Sequence, residues 1–336
     1  MTSVDAATPF AGLTPDCILA ALESLGLPCD GRLLALNSFE NRVWQVGVEE
    51  PDGRSAFRVA KFYRPGRWSD AAILEEHAFL AELAEAELPV VPPLLLQSAT
   101  LNLREGYRVA VFPRRGGRAP ELEDPLTLAW MGRLLGRIHA IGALRPFAHR
   151  RALTPESFGT QSRQFLLGQG HVPAELAEAY ASVSAQALEG VAACYQRAGA
   201  VTTLRLHGDC HRGNVLWTEE GPHFVDFDDA TTGPAVQDLW MLLAGDEQAM
   251  ARQLDAVLEG YGQFARFDCR EIHLIEALRT LRQMHHAAWI ARRWRDPAFP
   301  VAFPWFDSVR YWQDHILALR EQVALMAESP LVRLMV

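Results

Sequence analysis

Hydrophobic and polar residues alternate in several short runs of the first third of the chain. Alternation with a period of two is typical of β-strands buried on one face. Pro51-Asp52-Gly53 separates two of these runs and predicts a hairpin turn. The predicted strands comprise residues 33–36, 42–48, 56–63, 91–96 and 107–112. The pattern therefore predicts a small, mostly antiparallel sheet.

Two helices are predicted beside this sheet from the residues at their ends. Thr14-Pro15 combines a helix N-cap with a proline at the first helical position, and Gly26 ends that helix. Ser69 is the predicted N-cap of a second helix. Its apolar residues recur at helical spacing, at Ile73, Leu74, Phe79, Leu80 and Leu83.

The composition and the hydrophobic pattern of the chain change after Pro113. Residues 114–124 are rich in glycine, proline and charge, which predicts a hinge. The helical period of 3.6 then dominates residues 126–141, 173–198 and most of 235–328, interrupted by a short β-like island at 204–227. We therefore expect an α+β, bilobal fold, with a small antiparallel sheet lobe at residues 1–113 and a large helical lobe at 114–336.

Composition narrows the class of protein. The 336 residues carry 32 basic and 41 acidic side chains, a net charge of −9, which argues against nucleic acid as a partner. The five cysteines are scattered without a CxxC pair, so neither zinc nor a disulfide framework is expected. Neither a signal peptide nor a membrane-spanning stretch is evident. We expect a cytoplasmic protein that does not bind membranes, with a monomer as the default state.

The β-like island contains the residues with the clearest chemical pattern, His207-Gly208-Asp209 and, after three further residues, Gly213-Asn214. Asp226-Phe227-Asp228 follows on the returning strand. Phosphoryl transfer from ATP needs one carboxylate to orient the acceptor hydroxyl, and a second carboxylate with an amide oxygen to hold Mg²⁺. Asp209, Asp226 and Asn214 supply these three groups, at the spacing of a kinase catalytic loop. A polar β-turn with a chance aspartate is the alternative interpretation.

The sheet lobe offers groups for the nucleotide. Lys61 lies on a predicted strand, where a kinase needs a lysine that reaches the α- and β-phosphates and a helix glutamate that holds it. Glu76 on the following helix is the expected partner. The turn at residues 37–42 contains no glycine, so the phosphate-covering loop is atypical; Ser38 and backbone N–H groups remain able to bind phosphate oxygens. A plain hairpin turn explains this segment nearly as well.

These motifs together resemble the aminoglycoside phosphotransferase-like branch of the protein-kinase-like superfamily, and within it the bacterial stress response kinase A (YihE/RdoA) family. The resemblance runs nearly from end to end. Its most particular segments are Asn37-Ser38-Phe39-Glu40-Asn41-Arg42-Val43 and Gly233-Pro234-Ala235-Val236-Gln237-Asp238-Leu239-Trp240. Further matching segments are Lys61-Phe62-Tyr63-Arg64-Pro65, Ile73-Leu74-Glu75-Glu76-His77, Leu204-Arg205-Leu206-His207-Gly208-Asp209-Cys210-His211 and Asp296-Pro297-Ala298-Phe299-Pro300.

The resemblance implies roles for individual residues. Asp209 would be the proton acceptor, Asn214 and Asp226 would bind Mg²⁺, Lys61 would contact the phosphates of ATP and Ser38 would be a contact in the ATP loop. The adenine would lie near residues 111–113. Family members are regarded as serine/threonine protein kinases of the stress response that autophosphorylate.

This chain also departs from the expected family pattern. Phe39, Arg212 and Phe227 stand where relatives would have Tyr, a small residue or Pro, and Leu. The changes at Phe39 and Phe227 are mild. Arg212 adds a cation beside the catalytic aspartate, which could alter substrate preference.

Three functions stay open at this point. The first is a kinase acting on Ser or Thr of proteins, and the second is a kinase for a small-molecule hydroxyl such as that of an amino alcohol, sugar or aminoglycoside. The third is an inactive nucleotide-binding scaffold, which Lys61, Asp209 and Asp226 argue against.

Among the residues that neighbour these groups, we expect His207 to brace the catalytic loop. Asp228 and Asp229 are expected to lie in a solvated turn, with binding of a second Mg²⁺ or of a cationic substrate as the alternative.

Overall fold

The structure is a computed structural model that describes residues 8–328, and its internal contacts divide the chain into two compact units. Unit 1 comprises residues 8–118, Leu216–Asp228 and Arg295–Ala302. Unit 2 comprises Ala119–Val215, Asp229–Trp294 and residues 303–328. Unit 1 thus takes two segments from far along the chain, which sequence patterns did not indicate. The predicted boundary between residues 113 and 114 stays a prediction.

Strands and α-helices alternate irregularly along the described residues. The strands are β1 (Cys29–Leu36), β2 (Arg42–Glu49), β3 (Ser55–Phe62), β4 (Asn102–Arg104), β5 (Tyr107–Pro113), β6 (Leu204–Leu206), β7 (Val215–Thr218), β8 (Gly221–Phe224) and β9 (Thr231–Gly233). The α-helices are α1 (Pro15–Ser24), α2 (Asp70–Glu85), α3 (Pro125–Gly142), α4 (Gln161–Gly168), α5 (Ala177–Ala198), α6 (Val236–Trp240), α7 (Glu247–Tyr261), α8 (Ile275–Arg292), α9 (Ala298–Ala302) and α10 (Val309–Ala327).

A five-stranded sheet in the order β1-β2-β3-β5-β4 forms the centre of unit 1, and its neighbouring strands are antiparallel. The predicted hairpin joins β2 to β3, and the Asp52 carboxylate accepts a hydrogen bond from the Arg54 N–H at 3.0 Å in the turn. One face of the sheet packs on α1 through a buried cluster that includes Ile18, Leu22, Val46, Ala60 and Phe62. The expected antiparallel sheet lobe is confirmed.

Both predicted helix starts of unit 1 are confirmed by their cap geometry. The Thr14 hydroxyl accepts a hydrogen bond from the Cys17 N–H, and the Ser69 hydroxyl accepts one from the Ala72 N–H, each at 3.2 Å. These side chains satisfy N–H groups that have no partner inside the first turn of a helix.

The strand predicted at residues 91–96 is wrong. Pro92 and Pro93 lack the N–H groups that a ladder requires. The segment approaches β5 through the hydrogen bond from the Leu94 N–H to the Val111 carbonyl at 2.7 Å, and Leu96 exchanges hydrogen bonds with Ala99 in a turn instead. The edge of the sheet is instead the three-residue strand β4, which is too short to show an alternating pattern.

Unit 2 is mainly helical, as expected, and α3 and α7 pack closely in it. A Cβ atom at Gly132 of α3 would lie 2.0 Å from the Val257 carbonyl oxygen, and one at Gly260 of α7 would lie 1.9 Å from that of Ala129. Glycine at both positions therefore allows the two backbones to touch. Within residues 8–328, none of the helices has the length and apolar character that crossing a membrane requires.

Glu271 contacts the first residue of α6. Its carboxylate accepts a hydrogen bond from the Val236 N–H at 2.8 Å, and the side chain is buried. Burial raises the pKa of Glu271 to about 7, although the hydrogen bond from Val236 opposes the shift. The folded protein therefore holds this proton more tightly than the unfolded chain does.

Replacing Glu271 by Gln is expected to stabilise the protein at alkaline pH. Because the folded-state pKa lies above the unfolded value, stability is lost as the pH rises towards and through 7, by about 1–3 kcal/mol. Glu271→Gln keeps an acceptor for Val236 and removes the charge, so its Tm should exceed that of wild type at pH 8 but not at pH 5. Thermal unfolding at both pH values measures this, with exposed Glu189→Gln as the matched control. A Tm difference independent of pH would contradict the account.

Candidate active site

Lys61 occupies the middle of the sheet in unit 1. On β3 it pairs with Val43 of β2 on one side and with Ala110 of β5 on the other. The residue is only 6% exposed, so its ammonium group requires negative partners. Burial disfavours the charge, but the negative groups around it, led by Glu76, outweigh this effect, and the pKa of Lys61 is raised. Lys61 is therefore a fixed cation.

Three carboxylates surround the Lys61 ammonium. Its Nζ lies 2.9 Å from Asp228 Oδ1, 3.4 Å from Asp226 Oδ1 and 3.8 Å from Glu76 Oε1. The predicted partner Glu76 is therefore present but is the most distant of the three. Lys61 is shared among groups from α2 and from the segment that follows β8.

Asp226 is held in an uncommon backbone conformation. Its φ of 60° lies in the left-handed region, which Asp tolerates better than most side chains. The next residue, Phe227, is buried and packs edge to face on Phe79 of α2, with ring centroids 6.0 Å apart. This anchor leaves the Asp226 side chain 58% exposed, with one oxygen towards Lys61. Asp226 is thus a carboxylate on a fixed backbone with room for a further ligand.

The expectation that Asp228 and Asp229 lie in a solvated turn is wrong for Asp228. Asp228 is buried and pairs with both Lys61 and Arg67. Asp229, in unit 2, is partly exposed, and its carboxylate lies 3.5 Å from the guanidinium of Arg151. The sequence of this segment has the composition of a turn. The ion pairs of Asp228 with Lys61 and Arg67, which lie far away in the chain, show that its carboxylate is buried within unit 1.

The catalytic-loop motif follows β6 in unit 2. Gly208 has φ +83°, and a Cβ there would lie 2.3 Å from the Asp229 carbonyl oxygen, so no other residue fits. The carboxylate of buried Asp238 accepts hydrogen bonds from the N–H groups of His207 at 2.9 Å and Gly208 at 2.8 Å. Asp238 Oδ2 also lies 3.1 Å from His139 Nε2. Asp238 therefore braces the loop directly.

His207 has the bracing role expected of it. It is fully buried, and its Nδ1 accepts a hydrogen bond from the Asp209 N–H at 3.3 Å. The neighbouring Cys210 is fully buried too, and burial raises the pKa of its thiol well above the ordinary value. Cys210 is therefore an inert packing residue.

Asp209 carries two further contacts on its carboxylate. Oδ1 lies 2.6 Å from the Arg282 guanidinium of α8, and Oδ2 lies 3.5 Å from His211 Nε2. Burial alone would raise the pKa of Asp209, but the hydrogen bond with His211 and the charge of Arg282 outweigh it, so the pKa is lowered. Asp209 is therefore an ionised carboxylate with fixed orientation. Sequence reasoning missed Arg282, because it lies far along the chain in a helix without a motif.

Asn214 is oriented by Asp209. Its amide nitrogen donates to the Asp209 carbonyl oxygen at 3.0 Å and approaches Asp209 Oδ2 at 3.4 Å. Because the nitrogen is used in this way, the amide oxygen is the atom that can face a cation. The amide oxygen of Asn214 in unit 2 and the exposed carboxylate of Asp226 in unit 1 are each oxygen donors of the type that hard divalent cations prefer.

Ser38 lies in the loop of residues 37–41 between β1 and β2, which we call the Ser38 loop. The Ser38 side chain is half-buried, whereas Glu40 and Asn41 of the same loop are buried. Within residues 8–328, no cluster of three or more His, Cys, Asp or Glu side chains could hold a metal ion.

Comparison with known proteins identifies the family. The family model described as phosphotransferase enzyme family matches residues 32–275. Stress response kinase A of Salmonella choleraesuis is 43% identical over 97% of this chain and 98% of its own length. Serine/threonine protein kinase RdoA of Salmonella typhimurium has the same identity and coverage, and stress response kinase A of Escherichia coli is 42% identical.

Solved structures support the fold. The amicoumacin kinase hAmiN, in complex with AMP-PNP, Ca²⁺ and Ami, matches with a TM-score of 0.71 at 15% identity, covering 94% of this chain and 95% of its own. A microcompartment-associated aminopropanol kinase matches with a TM-score of 0.67 at 18% identity, covering 92% and 96%. On these grounds, the chain belongs to the phosphotransferase enzyme family and, within it, to the stress response kinase A family.

Proposed function

We propose that this chain is an ATP- and Mg²⁺-dependent kinase that phosphorylates Ser or Thr hydroxyls of proteins, its own included. The proposal rests above all on the Asp209–Asn214 loop. This loop fixes an ionised carboxylate and orients an amide oxygen five residues later. Lys61 and Asp226 on unit 1 add the cation and the second carboxylate that phosphoryl transfer from a nucleotide requires.

Each residue has a separate role in this proposal. Asp209 accepts a hydrogen bond from the acceptor hydroxyl and aims its oxygen at the γ-phosphorus. A new P–O bond forms to that oxygen while the bond from the γ-phosphorus to the β-γ bridging oxygen breaks, and ADP leaves. The hydroxyl proton passes to Asp209 or to the transferred phosphoryl group. Because the pKa of Asp209 is lowered, orientation outweighs proton abstraction in its contribution.

The remaining groups bind the nucleotide. Lys61 contacts the α- and β-phosphates, Ser38 and the backbone of its loop contact phosphate oxygens, and Glu76 helps to hold Lys61. Asn214 and Asp226 supply the oxygen ligands for Mg²⁺, which when bound neutralises charge on the phosphates. The adenine is proposed to lie near residues 111–113.

Identity with named protein kinases supports a protein acceptor. The relatives called stress response kinase A and serine/threonine protein kinase RdoA match along 97% of this chain, so the acceptor-binding parts are included in the match. The solved structures that act on amicoumacin and aminopropanol are below 20% identical, so their acceptors do not transfer to this chain. A small-molecule acceptor is therefore one outcome of the test below.

Asp209→Asn is expected to lower kcat by about 10²–10⁴-fold while changing the KM for ATP only a few-fold, because it removes orientation of the hydroxyl and leaves the nucleotide contacts in place. Transfer of label from γ-labelled ATP to the protein itself and to a generic protein acceptor measures this, with exposed Asp314→Asn as control. Label on a small molecule but on no protein would move the assignment to a small-molecule kinase. Tight ATP binding without turnover in wild type would overturn the catalytic proposal.

Arg282→Gln is expected to move the acidic limb of the pH–rate profile to higher pH. Arg282 lowers the pKa of Asp209, so its removal raises that pKa, and activity that needs ionised Asp209 is lost sooner as the pH falls. Arg279→Gln, one turn away and paired with Glu276, is the matched control. An acidic limb that stays in place in the Arg282 variant would show that the guanidinium does not tune the carboxylate in the active enzyme.

A further inference from the structure

The Ser38 loop is fastened by side chains. It contains no glycine, and Arg64, which follows β3, binds it at three points. The Arg64 N–H donates to the Asn41 side-chain oxygen at 3.0 Å, and Arg64 Nε donates to the Glu40 carbonyl at 3.0 Å. The same Nε lies 3.0 Å from Glu40 Oε1. One arginine thus holds both the backbone and the side chains of the loop.

Asp296 in turn holds Arg64. Its Oδ2 lies 2.5 Å from the Arg64 guanidinium and 3.8 Å from that of Arg42, while its Oδ1 accepts a hydrogen bond from the Ala298 N–H at 3.1 Å. Buried Phe299 places its ring 5.4 Å from the Arg64 guanidinium carbon. The segment Arg295–Ala302, which comes after α8 in the chain, therefore completes the support of a loop near the start of the chain.

Charge burial makes this support mandatory. Glu40, Arg64 and Asp296 are all buried, so the two carboxylates and the guanidinium offset one another's loss of contact with water. Removing the Asp296 carboxylate takes away one of the two carboxylates that hold the Arg64 guanidinium, the other being Glu40. The loop then loses the geometry that the guanidinium imposes on Glu40 and Asn41.

The network continues to the lysine of the proposed nucleotide site. Glu40 Oε2 lies 3.8 Å from Arg67 Nε, Arg67 pairs with Asp228, and Asp228 Oδ1 lies 2.9 Å from Lys61 Nζ. A chain of alternating charges therefore connects Asp296 with Lys61. These ion pairs therefore join the Ser38 loop and Lys61, the two parts of unit 1 to which the proposed function assigns phosphate binding.

We propose that Asp296 and Arg64 are positioning residues for the nucleotide, which preorganise the Ser38 loop where a glycine-rich loop would otherwise adapt to the phosphates. This inference rests on the proposed function, because it assigns ATP to the same site. Residues of the segments 37–43, 61–65 and 296–300 are then explained together, as one set of contacts that holds the Ser38 loop. A preorganised loop raises affinity because it loses less conformational entropy when the ligand binds.

The test measures binding of Mg²⁺–AMP-PNP by calorimetry, then ATP turnover. Asp296→Asn and Arg64→Gln should each raise the Kd for AMP-PNP about tenfold or more. Because the two residues act together, the Kd of the double variant should not exceed the larger of the two single-variant values. The KM for ATP should rise while kcat at saturating ATP changes less than about threefold. Arg54→Gln removes an exposed ion pair with Asp52 in the same unit and should change neither quantity.

A merely structural role gives a different result. It would lower the Tm while the folded variants bound AMP-PNP as wild type does, and that outcome would overturn the inference. Arg64→Lys retains the charge but loses the forked donors, so it should weaken binding even if Asp296→Asn does not fold; wild-type affinity in Arg64→Lys would equally overturn it. Failure of wild type to bind AMP-PNP would instead overturn the proposed function, and this inference with it.

Discussion

Burial of the Lys61 ammonium is the constraint on which unit 1 depends. A charge that is 6% exposed in the centre of a sheet is tolerated only among carboxylates, and Asp226, Asp228 and Glu76 provide them. Breaking a buried pair by removing one partner costs about 3–5 kcal/mol, which is a large share of the stability of a domain. The segment after β8 and helix α2 are therefore both fixed by the need to neutralise one lysine.

Unit 2 also contains a buried charged group, the carboxylate of Asp238. The buried Asp238 carboxylate accepts hydrogen bonds from the N–H groups of His207 and Gly208 and contacts His139. These bonds fix the backbone immediately before Asp209. Asp209 then receives Arg282 and His211 on its carboxylate and Asn214 on its backbone carbonyl. The orientation of Asp238 is fixed because His207 and His139, which contact it, are themselves buried. Such rigidity suits phosphoryl transfer, in which positioning contributes more than covalent chemistry.

Local patterns in the sequence predicted much of this arrangement. Alternation located β2 and β3, cap residues located α1 and α2, and the spacing of Asp209 and Asn214 indicated a catalytic loop whose hydrogen bonds the structure shows. Long-range pairing was beyond sequence reasoning. Arg282, Arg67 and Asp296 act on residues far from them in the chain, and no periodicity or motif links such partners. The strand expected at residues 91–96 failed for a local reason, since two prolines outweighed its apolar character.

In the proposed function, the fixed cation Lys61 serves phosphoryl transfer from ATP to a protein hydroxyl. Intact-mass measurement and fragmentation of the purified protein after incubation with Mg²⁺–ATP, for wild type and Lys61→Met, test this claim most directly. Phosphate on Ser or Thr in wild type and its absence in the Met variant, with both proteins folded, is the predicted result. Equal phosphorylation of both proteins, or none in either while ATP is bound, would contradict it.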